Sequence, residues 1–110
     1  MIRIDAVWLA TALMDMRAGT ETALSRVVAV FGAAHPHTAN LFANQRGNRI
    51  KVLVHNGIGL WLVARRLHQG KFVWAAPDTA NCQLERVQFD ALVLGLPWQR
   101  MGSAGSITMV

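Results

Sequence analysis

Val7, Trp8 and Leu9 follow one another without a polar break, the pattern of a β-strand buried on both faces, and a polar stretch from Asp15 to Gly19 then turns the chain. From Thr20 the period changes. Ala23, Leu24, Val27, Val28, Val30 and Phe31 recur at three- and four-residue spacing, which predicts an amphipathic helix packed on a core. Thr20 is the expected cap and Glu21 suits the positive end of the helix dipole. Pro36 ends any helix in its vicinity.

The middle of the chain alternates. Residues 40–45 and 49–55 flank Arg46-Gly47-Asn48, a tight connection in which Gly47 and Asn48 tolerate positive φ. On the second of these strands Ile50, Val52 and Val54 share one face, and Arg49, Lys51, Leu53 and His55 share the other. A turn at 56–59 leads into a strand over 60–67. After His68-Gln69-Gly70 its expected partner is a strand over 71–75. A second helix is predicted over 85–94, with Val87, Ala91 and Leu94 as its stripe, Phe89, Leu92 and Val93 widening it, Gly95 as its stop and Pro97 beyond. Together these elements predict an α+β fold, a mainly antiparallel sheet of about five strands in a β-meander with two helices on one face. The expected organisation is a single domain over 1–101 followed by a mobile tail, 102–110, whose last four residues suit a short edge strand.

Composition agrees with one self-sufficient core. A chain of 110 residues with 53% hydrophobic and 15% charged residues lies far from the disordered class and folds without metal or disulfide. The single cysteine, Cys82, cannot close an internal bridge, which fits a reducing cytoplasm. Arg3 ahead of the apolar run from Ala6 to Met14 superficially resembles a secretion signal, but Asp5 before it and Asp15 and Arg17 after it argue for mature sequence. No apolar run reaches the ~18 residues that a membrane span needs.

Charge changes the picture. Lys and Arg number 11 against 6 Asp and Glu, and between Glu21 and Asp78 no carboxylate side chain occurs. That stretch carries Arg26, Arg46, Arg49, Lys51, Arg65, Arg66, Lys71 and all four histidines. Such a field suits a polyanion, and the arginine bias suits phosphate, because a planar guanidinium donates two hydrogen bonds to one phosphate. The competing reading of the same residues is a solvated surface. Trp61 and Trp74 are candidates for stacking on bases or for partner contact, set against the core role usual for tryptophan in strands.

Other chemistry finds little support. Two-metal catalysis needs about three converging carboxylates, whereas Asp5, Asp15 and Glu21 lie at one end of the chain and Asp78, Glu85 and Asp90 at the other. His35 and His37 make half a zinc site without a second half. Cys82 has no base or elbow motif beside it, and Gly57 and Gly59 precede a strand rather than a phosphate-binding helix. No cofactor, metal site or catalytic residue is expected.

Several segments in order resemble one family: Val7-Trp8-Leu9-Ala10-Thr11, Met14-Asp15-Met16-Arg17 with Gly19, and Arg46-Gly47-Asn48-Arg49-Ile50-Lys51-Val52-Leu53. Gly57, Gly59, Arg66-Leu67, Gly70-Lys71-Phe72-Val73-Trp74, Leu92, Gly95 and Trp98 continue the series. This set is similar to the TnpB accessory proteins, the second-reading-frame products of bacterial insertion sequences of the sixty-six type. The resemblance implies a role in DNA transposition beside a separate, larger transposase, and no active site. It places Asp15, Arg17, Arg46, Arg49, Lys51, Arg66 and Lys71 at the family's polar motif positions. The chain departs where His55-Asn56-Gly57 replaces Trp-Asp-Gly, where Arg65 replaces lysine and His68 an acid, and where Ala43-Asn44-Gln45 lacks an aromatic residue.

The functional expectation is therefore a non-catalytic accessory protein that contacts DNA at the element ends through Arg17, Arg46, Arg49, Lys51, Arg65, Arg66 and Lys71. The alternative is an interaction module that docks on the transposase, or on a copy of itself, through exposed apolar residues such as Trp61 or Trp98. A third reading, a small metal-dependent hydrolase, requires the separated acids to meet in space.

Overall fold

A buried strand followed by a helix and another apolar strand is the pattern of a crossover unit, and the computed structural model, which describes residues 3–75, 81–99 and 101, contains one. Strand β1 (Ala6–Leu13) leads through helix α1 (Thr20–Phe31) to strand β2 (Thr38–Ala43), which lies parallel to β1. Parallel neighbours need such a connection, because a tight turn can only return the chain antiparallel. Strands β3 (Arg49–His55) and β4 (Leu60–Arg66) then continue as an antiparallel meander. Strand β5 (Cys82–Leu84) pairs antiparallel with the far side of β1, and helix α2 (Arg86–Val93) follows it. The resulting five-stranded sheet has the order β4-β3-β2-β1-β5, so the fold is α+β and mostly antiparallel.

Both faces of the sheet are apolar, and each has its own cover. Every residue of β2 is buried, the mark of a central strand with no solvent side. Ala10, Phe42 and Leu53 point to one face, where Ala23 and Val27 of α1 complete the layer. Leu9, Leu41, Ile50 and Val54 point to the other, where Ala91 and Leu92 of α2, Phe72 and Trp98 close it. The helices therefore lie on opposite faces rather than sharing one. The physical reason is the alternation itself: Phe42 and Leu53 need cover as much as Leu41 and Val54 do, and one layer cannot serve both.

Two local expectations are corrected as well. Gly19, not Thr20, is the N-cap of α1, no side chain caps it, and Gly32 at φ 85 ends the helix. Residues 71–75 form no strand against β4. After Gly70 the chain turns onto the face of the sheet instead, burying Phe72, donating the Trp74 Nε1–H to the Ala10 carbonyl at 2.8 Å and receiving the Trp98 Nε1–H on the Val73 carbonyl at 2.6 Å. This path carries the chain from the β4 edge towards β1 and β5. Helix α2 starts at Glu85 through a capping box with Gln88, and Gly95 at φ 76 lies just past its end. The expected tail over 102–110 lies outside the described residues, as does Asp78.

Candidate nucleic-acid interface

The parallel β1–β2 pair brings the ends of both strands to the same side of the molecule, and the antiparallel meander begins β3 and ends β4 there too. Three connections consequently meet: residues 14–19, residues 44–48 and the exit of β4. Each is held locally. The Asn44 amide donates to Asn48 Oδ1 at 2.9 Å, Asn44 Oδ1 accepts the Arg49 N–H at 3.1 Å, and Gly47 turns the chain at φ 75. The Gly47 carbonyl accepts the Phe72 N–H at 2.8 Å, and a Cβ on Gly47 would lie 3.7 Å from the Lys71 side chain. In the neighbouring loop Asp15 accepts the Arg17 backbone N–H at 2.8 Å and a guanidinium hydrogen bond at 2.8 Å.

Between the first two loops lies a groove of about 670 Å³ whose lining includes Asp15, Arg17, Asn44, Gln45, Arg46 and Arg49. Across Met16 and Arg49 it adjoins a smaller depression of about 190 Å³ that Lys51, Ala64, Arg65 and Arg66 complete. Arg17, Arg46, Arg49, Lys51, Arg65 and Arg66 thus border two adjacent concavities, and Lys71 stands beside Gly47 at the same end.

These cations are not equivalent. Arg17 is engaged by Asp15 in an exposed ion pair, and that hydrogen-bonded guanidinium, helped by the Arg17 backbone N–H, holds the Asp15 carboxyl at about 2. Lys51, half-buried, donates its Nζ to the Ala18 carbonyl and so ties the 14–19 loop to β3. Arg65 turns to the other face of the sheet and donates Nε to the Val93 carbonyl at the end of α2. Arg46, Arg49, Arg66 and Lys71 are exposed and make no ion pair or side-chain hydrogen bond among the described residues. The acid in the groove, Asp15, is already matched by Arg17, so the concavity carries a net positive field.

The tryptophans lie elsewhere. Trp74 is half-buried with its indole N–H committed to the Ala10 carbonyl, and Trp98 is core. Trp61 is 47% exposed on β4, on the face opposite Arg49 and Lys51. Stacking residues are therefore absent from the lining of the groove. Asn44 and Gln45 line it without belonging to the expected site residues. Their signal in the sequence is an Asx residue shortly before Gly47, where such a side chain organises a turn. Among the described residues no three His, Cys, Asp or Glu side chains gather as a metal ion would require. Asp5 and Asp90 pair with Arg3 and Arg86.

The sequence from residue 5 to 103 matches the family described as IS66 Orf2 like protein. The chain belongs to the IS66 Orf2-like family. Among relatives, an uncharacterized protein of Sinorhizobium fredii, y4hO, is 33% identical over 95 residues, covering 84% of this chain and 82% of its own length. A second from the same organism, y4jC, is 27% identical over 100 residues, covering 86% and 82%. No solved structure matches the chain. IS66 Orf2-like membership makes this an accessory protein of insertion-sequence transposition. No helix among the described residues is long and apolar enough to cross a membrane.

Proposed function

We propose that this protein assists the transposase of its element without catalysing a step itself, by holding DNA backbone in the groove between residues 14–17 and 44–49. The supporting observation is the gathering of Arg46, Arg49, Arg66 and Lys71 at one end of the sheet, exposed and without carboxylate partners among the described residues. Phosphates there meet two or three guanidinium forks on a prebuilt surface, since hydrogen bonds within the turn already order Asn44, Asn48 and Arg49. Ordering cost is low for the same reason. Backbone contacts position a protein on a duplex and carry no base information, so selection of the element ends belongs to the transposase.

A salt titration of binding to element-end and to scrambled duplex tests the reading. Four phosphates neutralised on duplex give a slope of log K against log salt of about −3.6, equal for the two sequences. Replacing Arg46 and Arg49 together by alanine should flatten the slope by about 1.8. Absence of binding at ~0.05 M salt, or a slope that ignores both substitutions, overturns it.

A further inference from the structure

The two edges of the sheet are unlike. β5 is three residues long, whereas β4 runs seven residues against β3 without a register shift and has no partner on its outer side among the described residues. Natural sheets protect a long edge with proline, a bulge or charge, and β4 carries only Arg65 and Arg66 at one end. The rest of it exposes Trp61 and Val63, 47% and 44% accessible. The ladder shows which backbone groups are open. Asn56 N–H donates to the Gly59 carbonyl at 3.0 Å and Leu67 N–H to the Asn48 carbonyl at 2.9 Å. Alternation from those two pairs turns the backbone groups of Trp61, Val63 and Arg65 towards β3, and those of Leu60, Leu62, Ala64 and Arg66 outward.

We propose that β4 pairs antiparallel with β4 of a second copy about a twofold axis at Val63, joining the two sheets into one. Outward-facing residues must oppose each other to exchange hydrogen bonds, and this register sets Leu60 against Arg66 and Leu62 against Ala64 of the second copy. Registers centred on Leu62 or Ala64 leave part of the open edge unmatched. The intervening close pairs bring Val63 against itself and Trp61 against Arg65 of the second copy, a cation over an aromatic face. Charge selects the same arrangement. Parallel pairing would stack Arg65 and Arg66 on their own images, whereas this register separates the two copies of Arg66 by ~20 Å and those of Arg65 by ~13 Å at ~3.3 Å per residue, both beyond the ~8 Å screening length of physiological salt. The twofold axis stands normal to the sheet and leaves both basic grooves on one face of the dimer. The pairing itself does not rest on the DNA reading.

The test uses the full chain without DNA, in a Cys82→Ser background. Sedimentation at tens of micromolar should find a dimer. Val63→Cys should cross-link to a disulfide dimer under mild oxidation. Trp61→Cys alone should not, while Trp61→Cys combined with Arg65→Cys should. Ala64→Pro removes an outward N–H without touching the β3 ladder, and should give a folded monomer by circular dichroism and sedimentation. A monomer at every concentration, cross-linking as efficient at 61 as at 63, or a dimer that survives Ala64→Pro with its fold intact overturns the proposal. So does a chain that dimerises only after residues 102–110 are removed, which would assign the edge to its own tail.

Discussion

Asp15 and Arg17 set the polarity of the groove. Because the Arg17 guanidinium holds the Asp15 carboxyl at about 2, below its ordinary 3.8, the pair stabilises the folded chain in full above pH ~4 and loses that contribution as pH falls through about 2. A stability difference between wild type and Asp15→Asn, followed by thermal unfolding, should therefore be constant near neutrality and fade as the medium is acidified through about pH 2. The same substitution removes a negative charge and releases Arg17 to a phosphate. The salt slope of DNA binding should steepen by about 0.9. Lys51 illustrates what single residues conceal: alternation placed it correctly beside Arg49, but its engagement by the Ala18 carbonyl depends on how the 14–19 loop folds back, which no spacing within β3 reveals.

At the scale of elements, positive-φ glycines end both helices, and their surroundings separate two costs. A Cβ on Gly32 meets nothing within 4 Å, so Gly32→Ala carries only the left-handed backbone penalty of about 1 kcal/mol. On Gly95 the Cβ would stand 3.1 Å from Leu67 Cδ1, so the Leu67 methyl must also give by a few tenths of an ångström, and Gly95→Ala should cost at least as much, read as a lower urea midpoint at unchanged m. Periodicity disclosed α1, the meander and α2, because amphipathic helices and alternating strands write their faces into the chain. It misassigned residues 71–75, since Phe72, Val73 and Trp74 have the composition of a strand yet satisfy it by lying across a sheet face. The short β5 stayed hidden for the converse reason: Cys82–Leu84 owes its pairing to β1, at the far end of the chain, and not to any local pattern. The cations of Arg46, Arg49, Arg66 and Lys71 were legible as part of a run without acids, whereas Asp15 and Arg17, which line the groove with Arg46 and Arg49, lie outside that run. Which cations of the run are engaged by carbonyls was not legible, because those carbonyls belong to Ala18 and Val93 on other elements.

The molecule is a sheet with a helix on each face, and among the described residues Arg46, Arg49, Arg66 and Lys71, cations without an ion pair, crowd at one end; that asymmetry has a thermodynamic consequence apart from any partner. Arg46, Arg49, Arg66 and Lys71 repel one another in the folded state and separate when the chain unfolds, so their proximity opposes folding most when screening is weak. Raising salt from about 0.01 M to about 0.15 M shortens the screening length from ~30 Å to ~8 Å and should raise the melting temperature. The exposed ion pairs of Arg3, Arg17 and Arg86 respond in the opposite sense, but each is an exposed surface pair of small worth. Arg49→Glu discriminates between the two contributions, because it relieves the repulsion without touching those pairs. In low salt the variant should melt above wild type, with a flatter dependence on salt, when both are followed by differential scanning calorimetry. A wild-type melting temperature that falls with added salt would mean that the cations do not share a field, and the basic end would lose its physical basis as a phosphate-binding surface.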